Sequence, residues 1–522
     1  MSYLKSTSVV SGMTLLSRVF GLIRDVVFAR AFGAGPVLDT FFIAFKIPNL
    51  LRRFFAEGAF SQAFVPVIGE YRERRPPEEV RALVAAAGGT LGAILLLVTV
   101  TGVLAAPVII AVFAPGFLDE PDKFDVTVSM LRLTFPYLLF ISLTALAGGI
   151  LNTYGRFGPP AFTPVLLNLV LIGFALWVAP HTPRPGLALS LGVFVAGLVQ
   201  LLFQLPFLAA LRMLPRPRWA PSDTGVRRIG RLMLPAIFGS SVAQINLLFD
   251  TLIASFLMSG SITWLYMSDR LMEFPLGVFG IALSTVILPG LSRQHAQASP
   301  LEFSATMDWA LRLAVVVGLP AAAGLFILAV PMLTTIFQYG EFSGRDVEMS
   351  AYALMAYALG LMGFILVKVF APGFFARQDT RTPVRVGVIA LVVNMVLNVA
   401  FVVPMVMLEF PAPHMGLALA TACSAFLNAL LLYVGLRRQA AYTPGAGWAL
   451  LLLRVLAANA AMLALLVYYR GPAAEWLALG WLDRAWRLAA LIGAAALSYF
   501  LVLAMTGLRP SHLRVKSPDA AV

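Results

Sequence analysis

Apolar runs long enough to cross a bilayer recur from one end of the chain to the other, broken by short polar connections. A spanning helix needs about 20 mainly apolar residues. That ruler divides the sequence into fourteen predicted helices, at about 8–32, 37–65, 82–111, 126–152, 161–180, 186–211, 228–258, 262–291, 303–337, 347–375, 382–408, 414–436, 448–470 and 485–507. The pattern predicts an all-α polytopic membrane protein. No short h-region with a cleavage site precedes the first run, so the first helix is the expected insertion signal.

The connections alternate in charge. One set carries Arg72, Arg74, Arg75 and Arg81, then Arg156, then Arg212, Arg216, Arg218, Arg227, Arg228 and Arg231. It continues through Arg293, through Arg377, Arg381 and Arg385, and through Arg437 and Arg438 to the tail residues Arg509, Arg514 and Lys516. The other set is poor in Lys and Arg, and two of its members, GFLDEPDKFD and QYGEFSGRDVE, are acidic. Cytoplasmic loops are enriched in basic residues, which places the first set and both termini in the cytoplasm.

Composition agrees: 60% of the 522 residues are hydrophobic and 12% are charged, against about 25% charged in a soluble domain. The net charge of +13 is spread through short loops, where it sets orientation and does not mark a nucleic-acid surface. A lone cysteine, Cys423, excludes an intramolecular disulfide. The sequence has no P-loop, no HExxH, no Cys/His cluster and no nucleophile elbow. ATP hydrolysis by this chain is therefore not expected. An enzyme acting on polyprenyl phosphates is the alternative class, but such enzymes usually keep acids and bases in loops at one membrane face.

Matching punctuation suggests an internal repeat. SQAFVP and STVILP share Ser-x4-Pro at Ser61/Pro66 and Ser284/Pro289. RFGPPAFTP pairs with RQDTRTP, Pro48 with Pro275, and Asp25 with Asp250. The shared offset of about 220 residues implies two parallel six-helix lobes. The expected organisation is an N-lobe at 1–220, a C-lobe at 221–440, and two further helices with a tail at 441–522.

Charge inside predicted spans then needs a partner or water, because an ionisable residue near a helix centre costs about 2.5–3.5 kcal/mol on insertion scales. LLSRVFGLIRDVVFAR in the first span holds Arg18, Arg24, Asp25 and Arg30. Arg30, near the outer end, can snorkel. Arg18 and Arg24 lie deeper and about 120° apart in a straight helix, while Gly12 and Gly21 allow a bend or a close contact. Asp25 can offset one of them. In the second span Asp39, Lys46, Arg53 and Glu57 fall within about 40° of one face, flanked by Asn49 and Arg52, with Pro48 free to kink the helix. Four charges on one stripe point to a water-filled cavity. Asp250 lies on the seventh span, and Asp269, Arg270 and Glu273 on the eighth. Arg270 either neutralises Glu273 one turn away or joins Arg18, Arg24 and Arg52 in an arginine cluster. Such a cluster suits an anion, since the guanidinium fork matches phosphate oxygens. Lys368 on the tenth span has no assigned role.

A neutral constellation lies on spans eleven and twelve: Asn394, Asn398, Thr421, Ser424 and Asn428. Interhelical hydrogen bonding is the ordinary use of such residues. An oxygen-lined Na⁺ site with Asp250 is the alternative.

These features carry a resemblance. LLSRVFGLIRDVVFAR, LDTFFIAFKIPNLLRRFFAEGAFSQAFVPV, LNTYGRFGPPAFTP, YMSDRLMEFPLGVFGIALSTVILP and FFARQDTRTPV together resemble the MurJ (MviN) family of lipid II flippases, within the multidrug/oligosaccharidyl-lipid/polysaccharide exporter superfamily. The resemblance runs along essentially the whole chain. It implies fourteen helices in two lobes, with the last two forming a lipid-facing groove. It also implies a transporter, not an enzyme, in the bacterial cytoplasmic membrane, moving undecaprenyl-diphosphate-MurNAc(pentapeptide)-GlcNAc outward by alternating access for peptidoglycan synthesis. Membrane lipids and cell-wall synthases are implied partners. Arg18, Arg24, Arg52 and Arg270 would face the cavity, with Asp25 orienting Arg24 and Asp39 as a functional acid. Arg53 and Glu57 join this candidate set from the helical stripe. Asp250, Asn394, Asn398 and Thr421 match a family Na⁺ site, although Asn398 stands where the family has an acid. Na⁺ or membrane potential is the implied drive. A cation-coupled drug or polysaccharide exporter of the same superfamily is the other transporter reading.

Overall fold

The computed structural model describes residues 3–53 and 59–508. Among these, the regular structure is helical throughout. The chain forms two compact units, Met1–Thr263 and Trp264–Val522. The first contains α1 (Tyr3–Phe32), α2 (Pro36–Arg52), α3 (Ala59–Arg74), α4 (Pro77–Leu104), α5 (Ala106–Phe113), α6 (Pro121–Thr134), α7 (Tyr137–Thr153), α8 (Gly158–Gly173), α9 (Pro185–Ala210) and α10 (Thr224–Ala254). α11 (Ser261–Pro275) begins at its end. The second holds α12 (Ala282–Ala296), α13 (Pro300–Ile327), α14 (Ala329–Phe337), α15 (Gly344–Phe375), α16 (Arg381–Met407), α17 (Met415–Arg438), α18 (Trp448–Tyr469), α19 (Ala473–Ala478) and α20 (Trp481–Met505).

Eleven helical stretches among the described residues are long and apolar enough to cross a membrane. Outside that set, α1, α2 and α10 carry Arg18, Arg24, Asp25, Asp39, Lys46, Arg52 and Asp250. A count of fourteen spans is compatible with the eleven once α1, α2 with α3, and α10 are added.

Matching breaks recur in the two units. α4 starts at Pro77 and is interrupted at Ala105, while α13 starts at Pro300 and is interrupted at Leu328. α2 contains Pro48 and ends in a widened turn at Arg53; α11 ends at Pro275 and runs into a π-helical turn at Leu276–Ile281. Proline removes an amide donor and clashes with the carbonyl four residues back, which is why the turns open there.

In the first unit α9 packs against α7, α8 and α6, with α1 laid on α8 and α10 on α3. In the second, α15 packs on α17 and α13, and α18 pairs with α20. Small residues permit the closest approach: a Cβ on Gly360 would lie 2.7 Å from the Ala422 backbone, and one on Gly363 2.9 Å from that of Phe426. In lipid, where no hydrophobic force drives helices together, such contact supplies dispersion. α20 buries one stripe, Arg484, Leu488, Leu491, Ala495, Tyr499 and Leu503, and exposes Leu497, Phe500, Leu501 and Met505. That exposed face suits hydrocarbon.

Candidate functional site

α1 runs unbroken through Gly12 and Gly21, so its charges keep the angles of a continuous helix. Arg18 is exposed, whereas Arg24 turns inward toward α8 and is 8% exposed. Nε and Nη2 of Arg24 donate to Oδ1 of Asp25 at 3.0 and 2.7 Å, and Nη1 donates to Oδ1 of Asn168 on α8 at 3.2 Å. Asn168 in turn donates to the carbonyls of Ser17 and Pro164 at 3.2 and 3.3 Å. The guanidinium carbon also lies 5.7 Å from the centre of the Phe28 ring. A buried cation is tolerated only when paired and hydrogen-bonded. Asp25, fully buried, supplies the charge, and Asn168 fixes the direction. Arg30 is exposed, as an interface anchor would be.

On α2 the expected stripe is divided by environment. Asp39 is 2% exposed and accepts from the Gly260 amide at 2.6 Å, the Thr263 amide at 2.9 Å and the Thr263 hydroxyl at 2.7 Å. Its carboxylate therefore caps the opening turn of α11, where amides lack helical acceptors. Lys46 donates to the hydroxyl of Thr251 on α10. Arg52, half-buried, donates from Nε to Oδ1 of Asn49 at 2.9 Å, and Arg53 is exposed. Glu57 lies outside the described residues.

Asp250 is half-buried on α10, with Asn246 donating to it at 3.5 Å. In the second unit, Arg270 and Glu273 approach to 3.4 Å with side chains 32% and 54% exposed. An exposed pair of this kind contributes little to stability. Lys368 is exposed on α15.

Asn394 on α16 donates to the hydroxyls of Thr421 and Ser424 on α17 at 3.3 and 3.2 Å, and its Oδ1 accepts from Asn398 at 2.9 Å. Thr421 donates to the Leu417 carbonyl at 2.9 Å. These neutral groups join α16 to α17. Among the described residues no group of three or more His, Cys, Asp or Glu could hold a metal ion. Asn394 Oδ1 is engaged by Asn398, so the described bonds of the α16 and α17 members are those of an interhelical contact.

Three site residues escape a one-dimensional reading. Asn168 holds Arg24 from 144 positions away; its only signal is a lone amide within LLNLVLIG. Thr251 and Thr263 are ordinary hydroxyls until Lys46 and Asp39 reach them.

Comparison with known proteins follows the same line. Residues 28–479 match the family model described as lipid II flippase MurJ. The chain is 49% identical over 518 residues to the probable lipid II flippase MurJ of Vibrio cholerae serotype O1, covering 98% of this chain and 97% of that one. It is 42% identical over 520 residues to the lipid II flippase MurJ of Burkholderia cenocepacia, covering 98% and 99%. Among solved structures, a lipid II flippase MurJ in an inward closed conformation matches with a TM-score of 0.78 at 25% identity, over 95% of this chain and 98% of that one. An inward-facing multidrug resistance MATE family transporter of the MOP superfamily matches with a TM-score of 0.64 at 14% identity, over 83% and 97%, a likeness of fold alone. With a family model spanning most of the chain and relatives nearly half identical from end to end, this multi-pass membrane protein belongs to the MurJ family of lipid II flippases, transporters and not enzymes.

Proposed function

We propose that this protein moves lipid II, the undecaprenyl-diphosphate-linked peptidoglycan precursor, from the cytoplasmic to the outer leaflet of the bacterial cytoplasmic membrane by alternating access. The observation that carries the reading is the end-to-end match to lipid II flippases. The site geometry supports it: Arg24 is held ready by Asp25 and Asn168, and Arg18 is exposed about 1.7 turns earlier on α1, about 9 Å along the axis.

The diphosphate is the part of the substrate that arginines recognise. Its oxygens accept the same forked N–H groups that Asp25 and Asn168 accept, so Arg24 can exchange partners without being stranded in a low-dielectric site. Arg18, Arg52, Arg53 and Arg270 add positive charge for the same headgroup. On the orientation set by the basic loops, with both termini cytoplasmic, Asp39 lies toward the outer face. Its three bonds to the start of α11 then act as an outer latch, closed while the headgroup loads and broken when it leaves. Membrane potential is the proposed drive. An inside-negative potential favours outward movement of an anion by about 2.3 kcal/mol per charge per 100 mV.

The test is translocation of labelled lipid II in proteoliposomes, with potential and Na⁺ varied independently. Arg270→Ala should abolish flipping while leaving the protein folded and inserted in the membrane. Unchanged flipping would remove Arg270 from the site. Drug efflux in place of lipid II movement would favour an exporter, and a chemically altered lipid an enzyme.

A further inference from the structure

Pro320 lies inside α13 and has no amide hydrogen, so the carbonyl of Val316, four residues earlier, loses its helical donor. In a membrane-spanning segment no bulk water replaces that donor. The replacement comes from α20, where the hydroxyl of Tyr499 donates to the Val316 carbonyl at 2.7 Å and the residue is 1% exposed. α18 and α20 meet the same α13–α14 stretch at two other levels.

About 12 Å along α13 from Val316, Asp308 gathers the connection between α17 and α18. Its Oδ1 accepts from the Tyr442 hydroxyl at 2.8 Å, the Gly445 amide at 3.0 Å and Trp448 Nε1 at 2.7 Å. Arg312 donates to Oδ2 at 2.6 Å and to the Ala446 carbonyl at 2.7 Å. At the opposite end, Arg484 in the first turn of α20 is 6% exposed and donates to the carbonyls of Thr334 and Gln338 at 3.3 and 3.1 Å, and of Leu477 at 2.9 Å. A cation at the carbonyl end of α14 meets the negative pole of that helix.

We infer that Tyr499 is a positioning residue: it docks α20 on the carbonyl that Pro320 frees. With Asp308 and Arg484 it makes α18 and α20 a fixed part of the second unit, which travels with that unit during translocation and does not slide across it. The transport half of this inference rests on the flippase reading; the docking half does not.

The experiment uses the full-length protein in lipid nanodiscs and proteoliposomes, with Tyr499→Phe, Pro320→Ala and the double variant. Amide hydrogen exchange along α20 and lipid II translocation are both measured. Tyr499→Phe should speed exchange along α20 by about fivefold or more and slow translocation by a similar factor, since it opens a local unit of structure. Pro320→Ala restores an amide donor to Val316, so adding Tyr499→Phe in that background should change either rate by less than about twofold. An equal effect in both backgrounds, or none in either, overturns the docking. Coupled exchange with unchanged translocation overturns the positioning role. If Tyr499→Phe alone fails to insert, the double variant must still behave as Pro320→Ala does, and its failure overturns the proposal. Absence of translocation in the unsubstituted protein overturns the flippase reading, while the exchange cycle still judges the docking.

Discussion

The hydroxyl of Thr134 on α6 donates at 2.9 Å to the carbonyl of Ala44 on α2, the acceptor that Pro48 leaves without an amide partner. Thr134 is fully buried. The bond lets α2 keep a proline in mid-helix without an orphaned acceptor. Thr134→Val conserves shape but strands the carbonyl, at a cost of about 1–2 kcal/mol. Thermal unfolding in detergent should show this loss, whereas Thr134→Ser, which keeps the hydroxyl, should stay near the parent. Equal behaviour of the Val and Ser variants would show that the hydroxyl is not what holds α2 to α6.

Arg24 and Asp25 form a buried pair, which separates stability from transport. Arg24→Ala breaks the charge-assisted bonds that hold the buried Asp25 carboxylate and should destabilise the protein by about 3–5 kcal/mol. Adding Asp25→Asn removes the buried negative charge and should recover most of the loss, yet flipping should remain down by about 100-fold, as expected for a lost charge-assisted contact. Recovery of flipping in the double variant would mean that Arg24 serves only the fold.

Asp39→Asn keeps the size of the side chain but replaces one acceptor oxygen with a donor group. The amides of Gly260 and Thr263 can then no longer both be satisfied. Hydrogen exchange at residues 260–263 should accelerate by about tenfold, equivalent to roughly 1.4 kcal/mol of lost protection. Exchange unchanged from the parent would remove Asp39 from the proposed latch.

Asp379, in the connection before α16, accepts from the Thr382 hydroxyl at 2.6 Å and the Thr382 amide at 2.9 Å. These bonds, the hydroxyl foremost, hold its carboxyl below the usual carboxylate range. A depressed folded pKa stabilises above the unfolded value of about 3.9 and is lost as pH falls through the folded value. The start of α16 should therefore keep constant protection between pH 5 and 8 and fray only below about pH 4. Asp379→Ala should remove that acid-dependent step. A step of unchanged size in the variant would assign it to another carboxylate.

The span pattern and the charges within it were legible because lipid imposes a length and an apolar content on each helix. Pro48 and Pro275, paired in the sequence, lie on helices that end in widened turns, because a proline near a helix end removes a donor there. The site was legible only by residue type. Arg18 and Arg24 are six positions apart with the same chemistry, yet one is exposed and the other is locked to Asp25 and Asn168. Asp39 read as a wet acid on a stripe and stands instead as a buried cap on α11.

From sequence alone came the all-helical membrane class, the succession of spans, the basic loops and the family resemblance, because each depends on local composition and order. Tertiary structure alone decided which charges are paired, that Asn394 and Asn398 serve the α16–α17 contact, and that Thr134 and Tyr499 supply hydrogen bonds that prolines withhold. The physical reason is that a spanning helix satisfies its own backbone. A carbonyl freed by proline or a buried charge must find its partner on another helix, and sequence distance carries no trace of which one.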